Sequence, residues 1–368
     1  MDHLKSSPLV TAVVLSLNGQ NYLRSQLAYY AHRPIHLILA DGSDTDWGNG
    51  SNGKVGEMTW EYFRISGDET YFVRLNEACL RIETSYVILL DDEDCTLWTG
   101  ITTAIDFLEL HRDYASAGGD VAFATNHSRR LGLVTSSRYQ PIDIAQDQPY
   151  ERLNTLLANR KSAHIVYQVL RTEVLGAYAR SMADLPPTIP LGFAGRSFSW
   201  FLALSGKWKS TNNPYSIRRQ SPRPSATREL PNQSFSCELA IELSVRILQA
   251  QTALTSTNRT INRDETVETL SNMMLDHYSE SSTYSGAPRS LPFRLFGQSA
   301  ALWIFNSLPT VYERLRPNGL HSIGRYAKLN DNGSVESQIY GELVDLQELW
   351  LQYPEGLAKF DLQKLLKS

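Results

Sequence analysis

The chain has 368 residues, 42% hydrophobic and 20% charged, which is ordinary for a folded protein able to bury a large core without disulfides. Its formal net charge of -4 and pI near 6.1 argue against a nucleic-acid binder, which would carry a basic excess, and point to a small-molecule partner. The three cysteines, Cys79, Cys95 and Cys237, are odd in number and lack zinc-site spacing. With no apolar run of membrane-spanning length and no signal-peptide layout at the start, a reducing, cytoplasmic setting is expected.

The first apolar run lies in Pro8 to Leu17 and reads as a buried strand, broken by Asn18-Gly19. Helical spacing follows over Tyr22 to Ala31, then a second strand over Ile35 to Ala40 that ends in Asp41-Gly42-Ser43-Asp44. Residues 42 to 56 are rich in Gly, Ser, Asn and Asp and are expected to form a loop over the sheet edge. Glu69 to Arg81 reads as a helix, Tyr86 to Leu90 as a third buried strand, Trp98 to His111 as a helix and Val121 to Thr125 as a strand. This alternation predicts crossovers that build a mostly parallel α/β sheet of nucleotide-binding type.

From Glu151 to Arg219 the signals are mixed. They include Ser162 to Leu170, a helical Arg171 to Met182, the Pro186-Pro187 break and Phe193 to Ser205. Residues 206 to 210 and Tyr215 to Arg219 read as two short strands around Asn212-Asn213-Pro214. Ser221 to Pro231 is rich in Pro, Arg and Ser, as a linker would be. Cys237 to Leu254, Arg263 to Tyr278, Leu343 to Tyr353 and Leu357 to Leu366 read as helices. The expected organisation is an α/β layer over 1–220. A linker over 221–235 and a helical region over 236–368 complete it.

Tyr86 to Asp94 carries the strongest chemical signal, since an apolar strand ends in the four consecutive acids Asp91, Asp92, Glu93 and Asp94. Adjacent carboxylates repel unless a cation or hydrogen-bond donors compensate, and ligands in open α/β sheets bind at the carboxyl ends of strands. Mn²⁺ or Mg²⁺ held by one or two carboxylates and the phosphates of a substrate is one answer; a solvated acidic turn is the other.

An opening strand with Asn18, a second strand with Asp41-Gly42-Ser43 and a third with Asp91 to Asp94 together resemble the nucleotide-sugar glycosyltransferases of the GT-A fold, close to the inverting family 2. The resemblance covers about residues 8 to 220 and implies that the layer over 1–220 is a catalytic domain, with a donor half near 8–126 and an acceptor half near 127–220. It implies a donor site of Ser16, Asn18, Asp41, Gly42, Ser43, Arg74, Asp91, Arg218 and Arg219. Asp41 would face a base N–H, Asp91 would lie near the ribose, and an arginine of the strand at 215–219 would meet the diphosphate. Asp92 and Asp94 would hold the metal, or Asp91 and Glu93 if the register slips by one. It further implies a UDP- or GDP-linked sugar donor, and as acceptor a hydroxyl of a glycan, a lipid-linked compound or a small molecule. Peripheral membrane association and homo-oligomerisation through the C-terminal helices stay open.

The chain departs from the family in one respect. Relatives often carry an acid near the helix that precedes a Gly-Lys turn, where this chain reads Leu191-Gly-Phe-Ala-Gly-Arg-Ser-Phe-Ser-Trp200. Asp184 upstream and Glu229 downstream are the nearest candidates for the base that takes the acceptor proton. Gln220 stands where some relatives place a metal-binding histidine. Two other readings remain: a binding or scaffold protein that kept the fold without catalysis, and a nucleotidyltransferase. The second lacks support because no Gly-rich, Lys-containing phosphate loop follows the first strand.

Overall fold

The computed structural model describes residues 8–47, 52–65, 70–127, 130–135, 142–159, 167–185, 191–219, 237–254, 266–275, 320–321, 342 and 345–346. Three parallel strands form the centre: β1 (Val10–Ser16), β2 (Ile35–Asp41) and, four strands along the chain from β1, β5 (Tyr86–Asp91). Each is apolar along its length because each is covered on both faces. Val10, Ala12 and Val14 of β1 pack with Leu23 and Leu27 of α1 (Gln20–Tyr30) and Ile101 and Ile105 of α3 (Trp98–Leu110). Val13 belongs to the opposite layer, with Phe72 and Leu75 of α2 (Tyr71–Cys79) and Leu175 and Tyr178 of α5 (Thr172–Met182). Alternate side chains of one strand therefore feed two cores.

The region read as a loop over 42–56 contains a strand, β3 (Asn52–Val55), which turns back at Gly56 into β4 (Met58–Arg64). Gly56 has φ +57°, a value that glycine reaches without steric cost, and a Cβ there would also meet the Ala31 carbonyl at 2.7 Å. β4 runs parallel to β2 and extends the central sheet. Beyond β5 the pairing turns antiparallel: β9 (Val169–Arg171) sits between β5 and β7 (Tyr114–His127), and β7 pairs with β8 (Arg130–Thr135). Among the described residues the order is β11-β8-β7-β9-β5-β1-β2-β4-β3, with β11 at Leu320–His321.

The two short strands expected on either side of Asn212-Asn213-Pro214 are one strand, β10 (Lys207–Arg219), parallel to β7 with register shifts between Ser210 and Ser216. The Asn-Asn-Pro break is absorbed as an irregularity in the ladder. β10 also pairs with β6 (Cys95–Thr96), the two residues that follow the acidic run. Arg171, expected to start a helix, ends β9 and is the N-cap of α5. The expected strand Val121 to Thr125 extends over all of β7, and the helix at Glu69 to Arg81 covers Tyr71–Cys79. The helix α4 (Pro149–Ala158) joins α6 (Leu191–Ser205) and α7 (Cys237–Leu254) on the α2 side. Residues 266–275 are helical, whereas the expected linker and the expected helix at Leu357 to Leu366 lie outside the described residues. No described helix is long and apolar enough to cross a membrane.

Candidate donor-binding site

Strand register places the site. Ser16 is opposite Asp41 and Leu15 is opposite Asp91, so Ser16, Asp41 and Asp91 reach the carboxyl edge of the sheet side by side. Two corners are built there, and Ser16 belongs to both. Its carbonyl accepts the Gly42 N–H at 2.8 Å, and its hydroxyl donates to Asp92 Oδ2 at 2.9 Å.

The first corner surrounds Asp41, which is fully buried. Its Oδ1 accepts the Ser43 N–H at 2.9 Å and the Ser43 hydroxyl at 2.5 Å, and its Oδ2 accepts the Tyr62 hydroxyl at 3.0 Å. These donors offset the cost of keeping a carboxylate out of water. Asn18, in the left-handed region at φ 57°, turns the chain out of β1 and donates its N–H to Ser43 Oγ at 2.8 Å. Asparagine tolerates this conformation better than other residues bearing a Cβ. Burial pushes the Tyr62 phenol up to about 12; the Trp47 N–H opposes that rise and the Asp41 carboxylate adds to it. The guanidinium of Arg74, in α2, lies close against Gly42, where a Cβ would come within 2.7 Å of Nη1. Burial lowers the Arg74 pKa, while Tyr71 and Asp41 nearby favour its charged form.

The second corner is the acidic turn. The Asp94 N–H donates to the Asp91 carbonyl at 3.2 Å, closing the turn, and the buried Gln26 amide of α1 donates to the carbonyls of Asp91 and Asp94. Because β6 pairs with β10 at Cys95 and Ile217, Arg218 stands beside the turn. Its Nη2 meets Asp91 Oδ2 and its Nε meets Asp94 Oδ2, each at 2.8 Å. Tyr167 completes the group: its hydroxyl donates to Asp91 Oδ2 at 2.7 Å, and Arg218 lies over its ring at 5.0 Å from the centroid. Burial raises the Tyr167 phenol well above its ordinary value, and the Asp91 carboxylate adds to this, so it remains a hydrogen-bond donor. Asp92 points the other way, to Ser16 and to Gly19 at the start of α1.

Of the residues proposed from sequence, Ser16, Asn18, Asp41, Gly42, Ser43 and Arg74 meet in the first corner, and Asp91, Asp92, Asp94 and Arg218 in the second. Arg219 is the last residue of β10. Asp184 is not brought to either corner: it is 87% exposed and its ion pair, at 3.9 Å, is with Arg246 of α7. Glu229 and Gln220 lie outside the described residues. Among the described residues, no group of three or more His, Cys, Asp or Glu side chains is arranged to hold a metal ion. Sequence reasoning missed Tyr62, Tyr167 and Gln26. The alternation of Met58, Trp60 and Tyr62 with Thr59, Glu61 and Phe63 was a legible strand signal for Tyr62. Tyr167 and Gln26 carry no motif, since only the tertiary fold brings them to the acids.

No protein-family model matches the chain, and no curated protein matches it in sequence. Among solved structures, Staphylococcus aureus TarS 1-349 in complex with UDP-GlcNAc is similar with a TM-score of 0.50 and 12% identity, over 96% of this chain and 93% of that one. TarS 1-349 crystallised without a named ligand gives 0.49 and 12%, over 93% and 91%. The mannosyltransferase PcManGT from Pyrobaculum calidifontis, in complex with GDP-Man and Mn²⁺, gives 0.35 and 12%, over 95% and 88%. At such identity the likeness to the TarS complex is one of fold, and that fold is the GT-A arrangement the sequence resembles: a mostly parallel sheet flanked by helices.

Proposed function

We propose that the chain is a glycosyltransferase that moves a sugar from a nucleoside-diphosphate donor to a hydroxyl acceptor, with inversion as in family 2. The observation that carries this reading is Ser16, which ties the Asp-Gly-Ser corner to the acidic turn through its carbonyl and its hydroxyl. A nucleoside diphosphate needs a base and ribose site adjoining a site that balances phosphate charge, and these two corners adjoin. Open α/β sheets place ligands at this edge. The TarS complex, on the same fold, holds UDP-GlcNAc, and PcManGT holds GDP-Man, so UDP- and GDP-linked sugars are the donors to test first.

In this reading the first corner receives the nucleoside. Asp41 has both oxygens engaged by Ser43 and Tyr62, so it shapes the pocket, and reaches a base N–H only if the corner opens. Asp91 faces the ribose, while Arg218 and Arg74 flank the diphosphate, where a guanidinium fork suits phosphate oxygens. Mn²⁺ or Mg²⁺ takes one or two carboxylates and completes its shell with phosphate oxygens and water. Asp92 and Asp94, two oxygen-donor carboxylates of one turn, would hold such an ion; Asp92 now faces Ser16, and Arg218 on Asp94 is the ion's competitor. When bound, the ion would stabilise the charge on the departing diphosphate. Arg218 and Arg74 would add to that stabilisation, and Tyr167 would keep the Asp91 carboxylate oriented. The base is assigned to no residue of the two corners. Asp184 would have to leave Arg246 to serve, and Glu229 remains the other candidate.

Thermal-shift titration with UDP- and GDP-sugars, with and without Mn²⁺, tests the reading, because a ligand that binds the folded form raises its melting temperature. A donor that stabilises the wild type but not the Asp91→Asn variant is the expected result. Stabilisation by none of them would leave the scaffold reading in its place. Release of free sugar or transfer to an added acceptor then separates an enzyme from a binding protein.

A further inference from the structure

Arg218 stands against the acidic turn, and its ion pairs with Asp94 and Asp91 are of different kinds. Its Nε–Asp94 Oδ2 pair involves a carboxylate only 3% exposed, whereas its Nη2–Asp91 Oδ2 pair involves one that is 41% exposed and also held by Tyr167. A buried carboxylate left without a counter-charge is costly, and the guanidinium is the counter-charge that the structure places on Asp94. A divalent ion placed on Asp94 would stand next to that guanidinium, and like charges at such separation repel strongly. A diphosphate removes the conflict, since it offers Arg218 new anionic partners while the ion takes over the carboxylate.

We propose that Arg218 is an internal counter-cation that occupies the metal's carboxylate in the donor-free protein and passes to the donor diphosphate on loading, coupling metal affinity to donor binding. The inference rests on the donor-diphosphate reading above. Its consequence is ordered loading: metal alone binds poorly, and metal and nucleotide each raise the affinity for the other by the same factor, as linkage requires. Asp92, which accepts the Ser16 hydroxyl, would be the second carboxylate offered to the ion.

The test is Mn²⁺ binding measured by electron paramagnetic resonance on donor-free protein, without any turnover. Wild type, Arg218→Lys and Arg218→Met are compared at one fixed pH and ionic strength, and folding of each variant is verified by circular dichroism. Wild type is expected to bind Mn²⁺ at least tenfold more tightly when UDP or GDP is present. Arg218→Met is expected to bind Mn²⁺ alone at least tenfold more tightly than wild type and to lose most of the nucleotide effect. Arg218→Lys, which keeps the charge on a more mobile stem, should lie between them, and it carries the test if the methionine variant does not fold. Equal Mn²⁺ affinity of wild type and the folded variants, with and without nucleotide, would overturn the proposal. Thermal stabilisation by a nucleotide sugar in those same samples would show that the transferase reading survives its loss.

Discussion

A Cβ built on Gly19 would lie 1.3 Å from Oδ2 of Asp92, so the carboxylate occupies the space that any other residue at position 19 would fill. The contact is between the residue preceding α1 and the turn after β5, and it aims Asp92 back toward Ser16. Gly19→Ala is therefore expected to push Asp92 off Ser16 and weaken Mn²⁺-dependent nucleotide binding by tenfold or more. The core of α1 is untouched, so the circular dichroism spectrum should be that of wild type. Calorimetric titration of nucleotide with Mn²⁺ checks this, and unchanged affinity would mean that Asp92 is free to move without consequence.

Tyr62→Phe removes the donor on Asp41 Oδ2 while keeping the ring that packs against Trp47. A buried acceptor that loses its partner costs about 1–3 kcal/mol, which denaturant melts should detect. The same pair predicts a pH dependence. The Tyr62 pKa is raised from the ordinary value of about 10, to about 12. A group whose pKa rises on folding contributes stability that is complete below its unfolded pKa and is lost as pH climbs through the folded one. Stability assigned to this hydroxyl should hold to about pH 10 and decline between there and about 12. Tyr62→Phe should flatten part of that decline, as measured by urea melts across the alkaline range.

What could be read from the sequence follows from how local each signal was. β1, β2 and β5 are legible because a strand covered on both faces must be apolar throughout, and an acid at the end of each of the last two marks the sheet edge. The loop composition of residues 42–56 hid the β3–β4 hairpin, although β4 alternates buried and half-buried residues. β10 was cut in two because Asn-Asn-Pro reads as a break, and only its parallel partner β7 shows that the ladder continues. In the site, the acids were visible as a run, but not what compensates them. Arg218 reaches Asp94 across more than a hundred residues through the β6–β10 pairing, a contact with no local pattern.

Arg152 is a buried cation that belongs to the scaffold. Its Nε donates to the Ala203 carbonyl at 2.6 Å and its Nη2 to that of Leu204 at 3.0 Å, at the end of α6, while Nη1 reaches the carbonyls of Gln146 and Asp147. The terminal carbonyls of a helix lack partners within it, and a cation there also meets the negative end of the helix dipole. Arg152→Met keeps the stem and removes every one of these donors. A loss of about 3 kcal/mol is expected, since several hydrogen bonds to a charged group vanish at once. Nucleotide affinity should change little in the fraction that remains folded. A denaturation midpoint equal to wild type would show that water replaces the guanidinium without cost.

Glu342 connects the far end of the chain to the site's supporting layer. Its carboxylate accepts the Thr99 N–H at 2.8 Å, the Thr99 hydroxyl and the Tyr29 hydroxyl at 2.9 Å, all in a buried position. Thr99 is in the first turn of α3, where N–H groups lack partners within the helix and a carboxylate meets the positive end of its dipole. Glu342 thus caps a helix that begins four residues after Asp94, from 243 positions along the chain. Glu342→Gln keeps the size and most acceptor capacity but loses the charge, and should cost about 1 kcal/mol, while Glu342→Ala leaves the Thr99 N–H and both hydroxyls buried without an acceptor and should cost about 2–3 kcal/mol. Because α3 starts just after β6, the alanine variant should also speed hydrogen exchange at Cys95 and Thr96 more than in β2. Mass-spectrometric exchange resolves the two strands, and equal protection in both variants would show that Glu342 caps α3 without supporting β6.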